Sequence, residues 1–301
     1  MTVSPAGRDK APLPANTATK DAGMPAGTAA GREPEPGSVA VRHVLMLGCG
    51  KMGGALLQRW SAATPFHFTA LSPSGARRLP EPVTMVTSAA GLDRDHYDVI
   101  IIAVKPQMID EVLPSYIGRL AADGLLVSLA AGTSCQRITA LAGAHALVRV
   151  MPNLPVSIGL GMSALYAGDG VTANHRRFIE ALMGSTGELL WAESEDEFDR
   201  ITAIAGSGPG YTFELLRCWV EAAEALGFTP AQARSLVLAT VRGAVELAQE
   251  RDLPLAELRA EVTSKKGTTE AGLEALNGDG EIAVRFARTL QAAYDRAVEL
   301  R

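Results

Sequence analysis

From Val41 onward, short continuous runs of β-branched and aliphatic residues alternate with longer stretches of mixed polarity. The runs occupy residues 44–47, 66–71, 99–104, 125–129 and 146–150. A strand covered on one face alternates apolar with polar positions, whereas a continuous run predicts a strand buried on both faces, as in a parallel sheet flanked by helices. Strand and helix in repeated alternation predict an α/β fold, a Rossmann-type parallel-sheet domain over 41–192. After the acidic stretch 193–199 the pattern changes to Ala- and Leu-rich segments with little β-branching, at 201–205, 211–226, 230–249, 255–262, 269–276 and 282–300. These predict an all-α second domain over 193–301. Its helices are apolar over more than one face, and roughly a hundred residues of such helices cannot bury every face alone. A subunit interface follows.

Composition narrows the function. With 301 residues, 47% of them hydrophobic, the chain can build a substantial core. A formal charge of -5 and scattered basic residues point away from nucleic acid and toward small-molecule chemistry. Cys49, Cys135 and Cys218 are too far apart for a zinc or disulfide framework, so no metal is expected and reduced thiols in a cytoplasm are. Residues 1–40, rich in Ala, Gly, Pro, Thr and Ser, read as a disordered tail; Asp9, Asp21, Glu33 and Glu35 make them too acidic for a transit peptide. No run approaches the roughly 20 apolar residues that span a bilayer, so a soluble protein is expected.

The chemistry lies at strand ends. Gly48-Cys49-Gly50-Lys51-Met52-Gly53 follows the first strand and opens a helix, the context in which G-x-G-x-x-G binds a dinucleotide. Gly48 permits the tight turn, Gly50 lets backbone approach a pyrophosphate, and Gly53 lets helix and strand pack closely, with Lys51 and Met52 beginning the helix that faces the phosphate. After the second strand, an enzyme that prefers NAD places a carboxylate for the ribose hydroxyls. This chain has Ser72-Pro73-Ser74-Gly75-Ala76-Arg77-Arg78 instead. Hydroxyls of Ser72 and Ser74 with the guanidinium of Arg77 suit a 2′-phosphate, which predicts NADPH, with NADH as the weaker donor; the plainer reading is that Arg77 and Arg78 solvate a helix. Ala103-Val104-Lys105-Pro106 ends the next predicted strand near the cofactor, and Ala131, Gly132 and Asn153 lie in later strand-end loops that suit the nicotinamide pocket. Gly206-Ser207-Gly208-Pro209-Gly210-Tyr211 opens a helix, and Ser264-Lys265-Lys266-Gly267-Thr268-Thr269 offers hydroxyls, amides and two ammonium groups before another, a good carboxylate site.

In order and spacing, GCGKMGGA, AVKPQ, SLAAGTS, MPNLPVSIGLG, GSGPGY and VTSKKGTTEAGLEAL resemble the pyrroline-5-carboxylate reductase family over residues 42–300. The last motif resembles that family's substrate loop and is the most specific of the set. The resemblance implies reduction of 1-pyrroline-5-carboxylate to L-proline by hydride from NADPH, in a homodimer that often assembles into larger rings. It also implies that Ser264, Gly267, Thr268 and Thr269 hold the substrate carboxylate and ring nitrogen, with Thr269, the catalytic candidate, near the imine nitrogen, and that the loop acts on the partner's cofactor. Where the family commonly has glycine, this chain has Lys266, which is strained if the position needs a positive φ or, as the alternative, adds a cation for the carboxylate. Other readings of the same residues are a reductase of another cyclic imine acid and a non-catalytic NADP-binding regulator. A β-hydroxyacid dehydrogenase is disfavoured because no lysine lies between Lys105 and Lys265.

Overall fold

The computed structural model describes residues 42–75 and 79–301. The expectation of a disordered tail over 1–40 and the cofactor candidate Arg77 lie outside the described residues.

Eight strands form one sheet: β1 (His43–Leu47), β2 (His67–Leu71), β3 (Thr84–Val86), β4 (Tyr97–Ile102), β5 (Leu120–Ser128), β6 (Ala146–Pro152), β7 (Gly161–Ala167) and β8 (Gly187–Ala192). Their order is β3-β2-β1-β4-β5-β6-β7-β8. Pairing is parallel from β3 through β6. β7 then runs antiparallel to β6, and β8 parallels β7. The sequence reading anticipated neither reversal nor β3, β7 and β8. The link from β6 to β7 is too short for a crossover helix, so the chain turns back beside the strand it has just left.

Helices α1 (Lys51–Ala63), α2 (Ile109–Tyr116), α3 (Cys135–Ala142) and α4 (Ala173–Gly184) cover the sheet. Because successive side chains leave a strand on opposite faces, β1 sends Val44 and Met46 to one core and Leu45 and Leu47 to the other. The first core holds Leu56, Leu57 and Trp60 of α1 with Phe178 and Leu182 of α4. The second holds Ile109 and Leu113 of α2 with Ile138 of α3. Each fully buried aliphatic or aromatic side chain stabilises the domain by about 1.5–3 kcal/mol, which explains why these strands read as continuous apolar runs.

The chain continues as α5 (Glu195–Ile201), a π-helical turn (Thr202–Gly206), α6 (Gly208–Ala225), α7 (Pro230–Arg251), α8 (Leu255–Glu261), α9 (Thr268–Asn277) and α10 (Glu281–Glu299). Five of the six helical segments expected from the sequence recur as α6 to α10. The first, 201–205, is corrected: the helix begins in the acidic stretch itself, and 202–206 is the π turn that follows. Ser194 caps α5 by accepting from the Glu197 amide, and three acids in the first turn complement the helix dipole. Thr229 and Gln232 form a capping box at α7, with Pro230 in its first turn. α6, α8, α9 and α10 bury no residue in the single chain, and α7 buries only Ala233 and Val237. Phe213 and Trp219 on α6 stay 57% and 51% exposed, an apolar surface that a single chain leaves uncovered. No helix among the described residues is long and apolar enough to cross a membrane.

Candidate cofactor and substrate site

The parallel strands β1, β2, β4 and β5 end on one edge, and backbone hydrogen bonds tie their following loops together. Gly48 N–H donates to Leu71 O at 2.8 Å, Ala103 N–H to Leu47 O at 2.8 Å and Leu129 N–H to Ile102 O at 2.9 Å. The strand order reverses between β1 and β4, and a doubly wound sheet binds its ligand in that crevice.

The three glycines of the first turn are glycine for three different reasons. Gly48 has φ +91, and a Cβ there would lie 2.9 Å from both Ala103 O and Val104 Cγ1. At Gly53 a Cβ would meet Met46 Sδ at 3.1 Å, so helix packs tightly on strand. Where a Cβ on Gly50 would stand, nothing lies within 4 Å, so a side chain there would project into space that a ligand could otherwise use. A cradle of this shape fits a pyrophosphate at the N-terminus of α1, where Gly50 is the N-cap and no acid stands in the first turn. Lys51 is exposed there and Met52 packs against the core.

Along the same edge, Ser72 Oγ and Ser74 Oγ lie 3.2 Å apart after β2. Lys105 is exposed and precedes a 3-10 turn begun by Pro106. Gly132, with φ +65, packs so closely beneath Leu300 that a Cβ would lie 2.5 Å from the Leu300 Cβ. The loop after β5, which includes Ala131, therefore supports the end of α10. Asn153 is buried after β6 with both ends of its amide engaged by backbone.

The second cluster stands between α8 and α9. Gly267 is the N-cap of α9, and its amide donates to Ser264 O at 3.0 Å; a Cβ on Gly267 would lie 2.3 Å from Ser264 Oγ. The serine hydroxyl is thereby pressed against the helix N-terminus that begins with Thr268 and Thr269. Lys266 has φ +57, one of two non-glycine residues at positive φ among the described residues, as the sequence comparison with glycine at this position anticipated. Its amide donates to Glu270 Oε2 at 2.7 Å, which orients the loop into the helix. Ser264, Gly267, Thr268 and Thr269 thus share one helix N-terminus in the helical region, and the cofactor candidates among the described residues lie in or beside the loops that follow the strands.

Sequence reasoning missed the link between these regions. Arg149 of β6 is 2% exposed, and its Nη1 donates to Glu195 Oε1 at 2.6 Å. The same carboxylate oxygen accepts the Cys135 amide at 2.8 Å. The Arg149 guanidinium also lies 4.3 Å from the Phe198 ring centroid. Burial, then the Glu195 charge, push the Cys135 thiol up to about 12, so it stays protonated and is no nucleophile. The signal was present: a charge within an apolar run that must be buried on both faces requires a partner.

A sheet with its glycine turn at the switch point, joined to helices that carry a polar loop and leave apolar faces uncovered, defines a two-domain, dinucleotide-dependent oxidoreductase. A family model described as pyrroline-5-carboxylate reductase dimerisation matches residues 195–300, and one described as NADP oxidoreductase, coenzyme F420-dependent, matches 43–132. The pyrroline-5-carboxylate reductase of Vibrio alginolyticus is 35% identical, over 86% of this chain and 97% of its own. The chain belongs to the pyrroline-5-carboxylate reductase family. The Pseudomonas aeruginosa enzyme of that name is 37% identical over 67% of this chain and 74% of its own. The solved structure of pyrroline-5-carboxylate reductase from Coxiella burnetii superposes with a TM-score of 0.77 at 31% identity, covering 87% of this chain and 99% of that one.

Proposed function

We propose that this protein reduces 1-pyrroline-5-carboxylate to L-proline with NADPH, the last step of proline biosynthesis, as a self-associating cytoplasmic enzyme. The observation that carries the reading is the α9 N-terminus, where only a glycine N-cap at 267 leaves room for the neighbouring Ser264 hydroxyl, in a chain of this family. Anions are stabilised at helix N-termini by unpaired amides and the helix dipole, which makes this a place for the substrate carboxylate.

In the proposed mechanism, the amides of Thr268 and Thr269 and the hydroxyl of Ser264 hold the carboxylate, and Lys266 adds a cation. Thr269, half-buried at the second position of α9, holds the ring nitrogen through its hydroxyl. Bound NADPH supplies the hydride for the C=N carbon, which is electrophilic when the nitrogen is protonated. The rest of the catalysis is orientation: the protein fixes the ring over the sheet edge and needs no strong acid. On the cofactor side, Gly48, Gly50, Lys51, Met52 and Gly53 hold the pyrophosphate, Ser72, Ser74 and Arg77 take the 2′-phosphate, and Ala103, Val104, Lys105, Pro106, Ala131 and Gly132 border the nicotinamide half. The division of labour is a dinucleotide domain over 41–192 and a dimerisation and substrate domain over 193–301. The substrate loop serves the partner's cofactor across the dimer, and dimers assemble into a ring.

The test is NADPH oxidation with 1-pyrroline-5-carboxylate, run beside NADH and beside Thr269→Ala. Turnover that prefers NADPH and falls in the variant supports the reading. Intact NADPH binding without turnover sinks it. The lysine at 266, where the family commonly has glycine, keeps one alternative open, a different cyclic imine acid, since one methylene changes discrimination by only about 1–3 kcal/mol; competing-substrate kinetics separate the two.

A further inference from the structure

Asn153 follows the last residue of β6 and is 8% exposed. Its Nδ2 donates to Ala205 O at 3.1 Å, and its Oδ1 accepts the Met162 amide at 3.0 Å. One amide therefore ties together the end of β6, the start of β7 and the π turn that leads into α6. The arrangement needs a donor and an acceptor on one short planar group. Asn supplies both; Asp lacks the donor and Ser lacks the reach.

The π turn is the joint between the sheet and the helices. Its widened ring is closed by Ser207 N–H to Thr202 O at 3.1 Å. Two of its carbonyls take side-chain donors, Ala205 from Asn153 and Ala203 from Tyr211 Oη at 3.2 Å. A Cβ on Gly206 would lie 3.6 Å from Met151 Cε, so the same strand end that carries Asn153 also packs the last residue of the turn. π turns interrupt helices at positions where local geometry matters to function.

We infer that Asn153 is a positioning residue of the reaction proposed above, an inference that rests on that reading: its amide sets where residues 206–210 and the start of α6 stand against the carboxyl edge of β6. It acts through the joint and not through a bond to the nicotinamide.

Asn153→Asp keeps the acceptor for Met162 and removes the donor for Ala205, whereas Asn153→Ala removes both. Three quantities decide the matter: kcat for 1-pyrroline-5-carboxylate, the NADPH dissociation constant by nucleotide fluorescence without substrate, and hydrogen exchange at the Met162 amide. The expected result is a kcat about ten- to a hundredfold lower in both variants with NADPH affinity changed by less than about threefold, the pattern of misplaced reactants. Met162 should stay protected in Asn153→Asp and exchange in Asn153→Ala. NADPH affinity falling in step with kcat would overturn the inference in favour of direct cofactor contact. Unchanged kcat in a folded Asn153→Ala, or a protected Met162 there, would overturn it as well. An unaltered protein with no turnover on the imine would instead defeat the functional reading, and exchange at Met162 would still decide whether the clamp exists.

Discussion

Arg149 Nη1 and Glu195 Oε1 stand 2.6 Å apart, the arginine on an inner strand of the sheet and the glutamate on the first helix after it. The pair joins the two halves of the chain and, through the Cys135 amide, fixes the loop after β5. Breaking one side of a buried pair leaves the other charge without compensation. Glu195→Ala is expected to cost about 3 kcal/mol, read as a lower urea midpoint. Glu195→Gln, which keeps an acceptor for Cys135, should cost less.

Gly48 and Gly50 separate folding from binding. Gly48→Ala forces a side chain into positive φ and against Ala103 O, and should destabilise the protein by about 2–4 kcal/mol. Gly50→Ala meets open space. It should leave stability within about 0.5 kcal/mol yet weaken NADPH at least tenfold, about 1.4 kcal/mol, because the new methyl fills the approach to the pyrophosphate. Thermal melts beside nucleotide titration distinguish the two.

Lys266 carries a conformational cost. A left-handed non-glycine residue loses about 1–2 kcal/mol, and glycine returns about 0.5–1 kcal/mol of that as lost unfolded-state entropy. Lys266→Gly should therefore stabilise by roughly 0.5–1 kcal/mol while raising KM for the anionic imine, since the ammonium is gone. A variant that melts lower would contradict the strain at φ +57.

The exposed face of α6 predicts the assembly. Trp219→Glu puts a charge into a surface of about half-exposed aromatic side chains. Sedimentation should show the unaltered protein self-associated and the variant shifted to monomer at the same micromolar concentration.

Asp199 is 2% exposed, and burial raises its pKa against the opposing pull of Arg301, whose Nε lies 3.0 Å from Oδ2. The folded state thus holds a proton that the unfolded state has released, so this carboxyl subtracts stability as pH rises from 3.8 through its raised value. Asp199→Asn lacks that loss. The difference in melting temperature, variant minus unaltered protein, should increase across this acidic range and then level off. A flat difference would show that Asp199 titrates alike in both states.

Much of the fold is written in local pattern. The strands at 44–47, 99–104 and 146–150 had to be buried on both faces, and the capping residues Thr229 and Pro230 mark a helix start wherever the chain lies. β3 and β8 escaped because they are short or half-exposed edge strands, with Glu188 and Leu190 of β8 facing outward, whereas β7 is an inner strand whose sequence GMSALYA mixes Gly, Ser and Ala with its few large apolar residues and so lacks a continuous aliphatic run. The acidic stretch escaped for a different reason: three acids look like a linker until Ser194 is recognised as a cap.

The sequence by itself determined the class of cofactor and the need for a second chain, because a glycine turn and an apolar surplus are local or compositional properties. Only the tertiary structure decided what each motif residue does. Asn153, a pocket candidate in the sequence, ties Met162 to Ala205 through the two ends of its amide, and Gly132, a strand-end turn in the sequence, also seats Leu300. Arg149 passes unremarked within an apolar run and is one end of an ionic link to a residue 46 positions away. Such roles depend on contacts between distant segments, and no local pattern encodes which distant atom arrives.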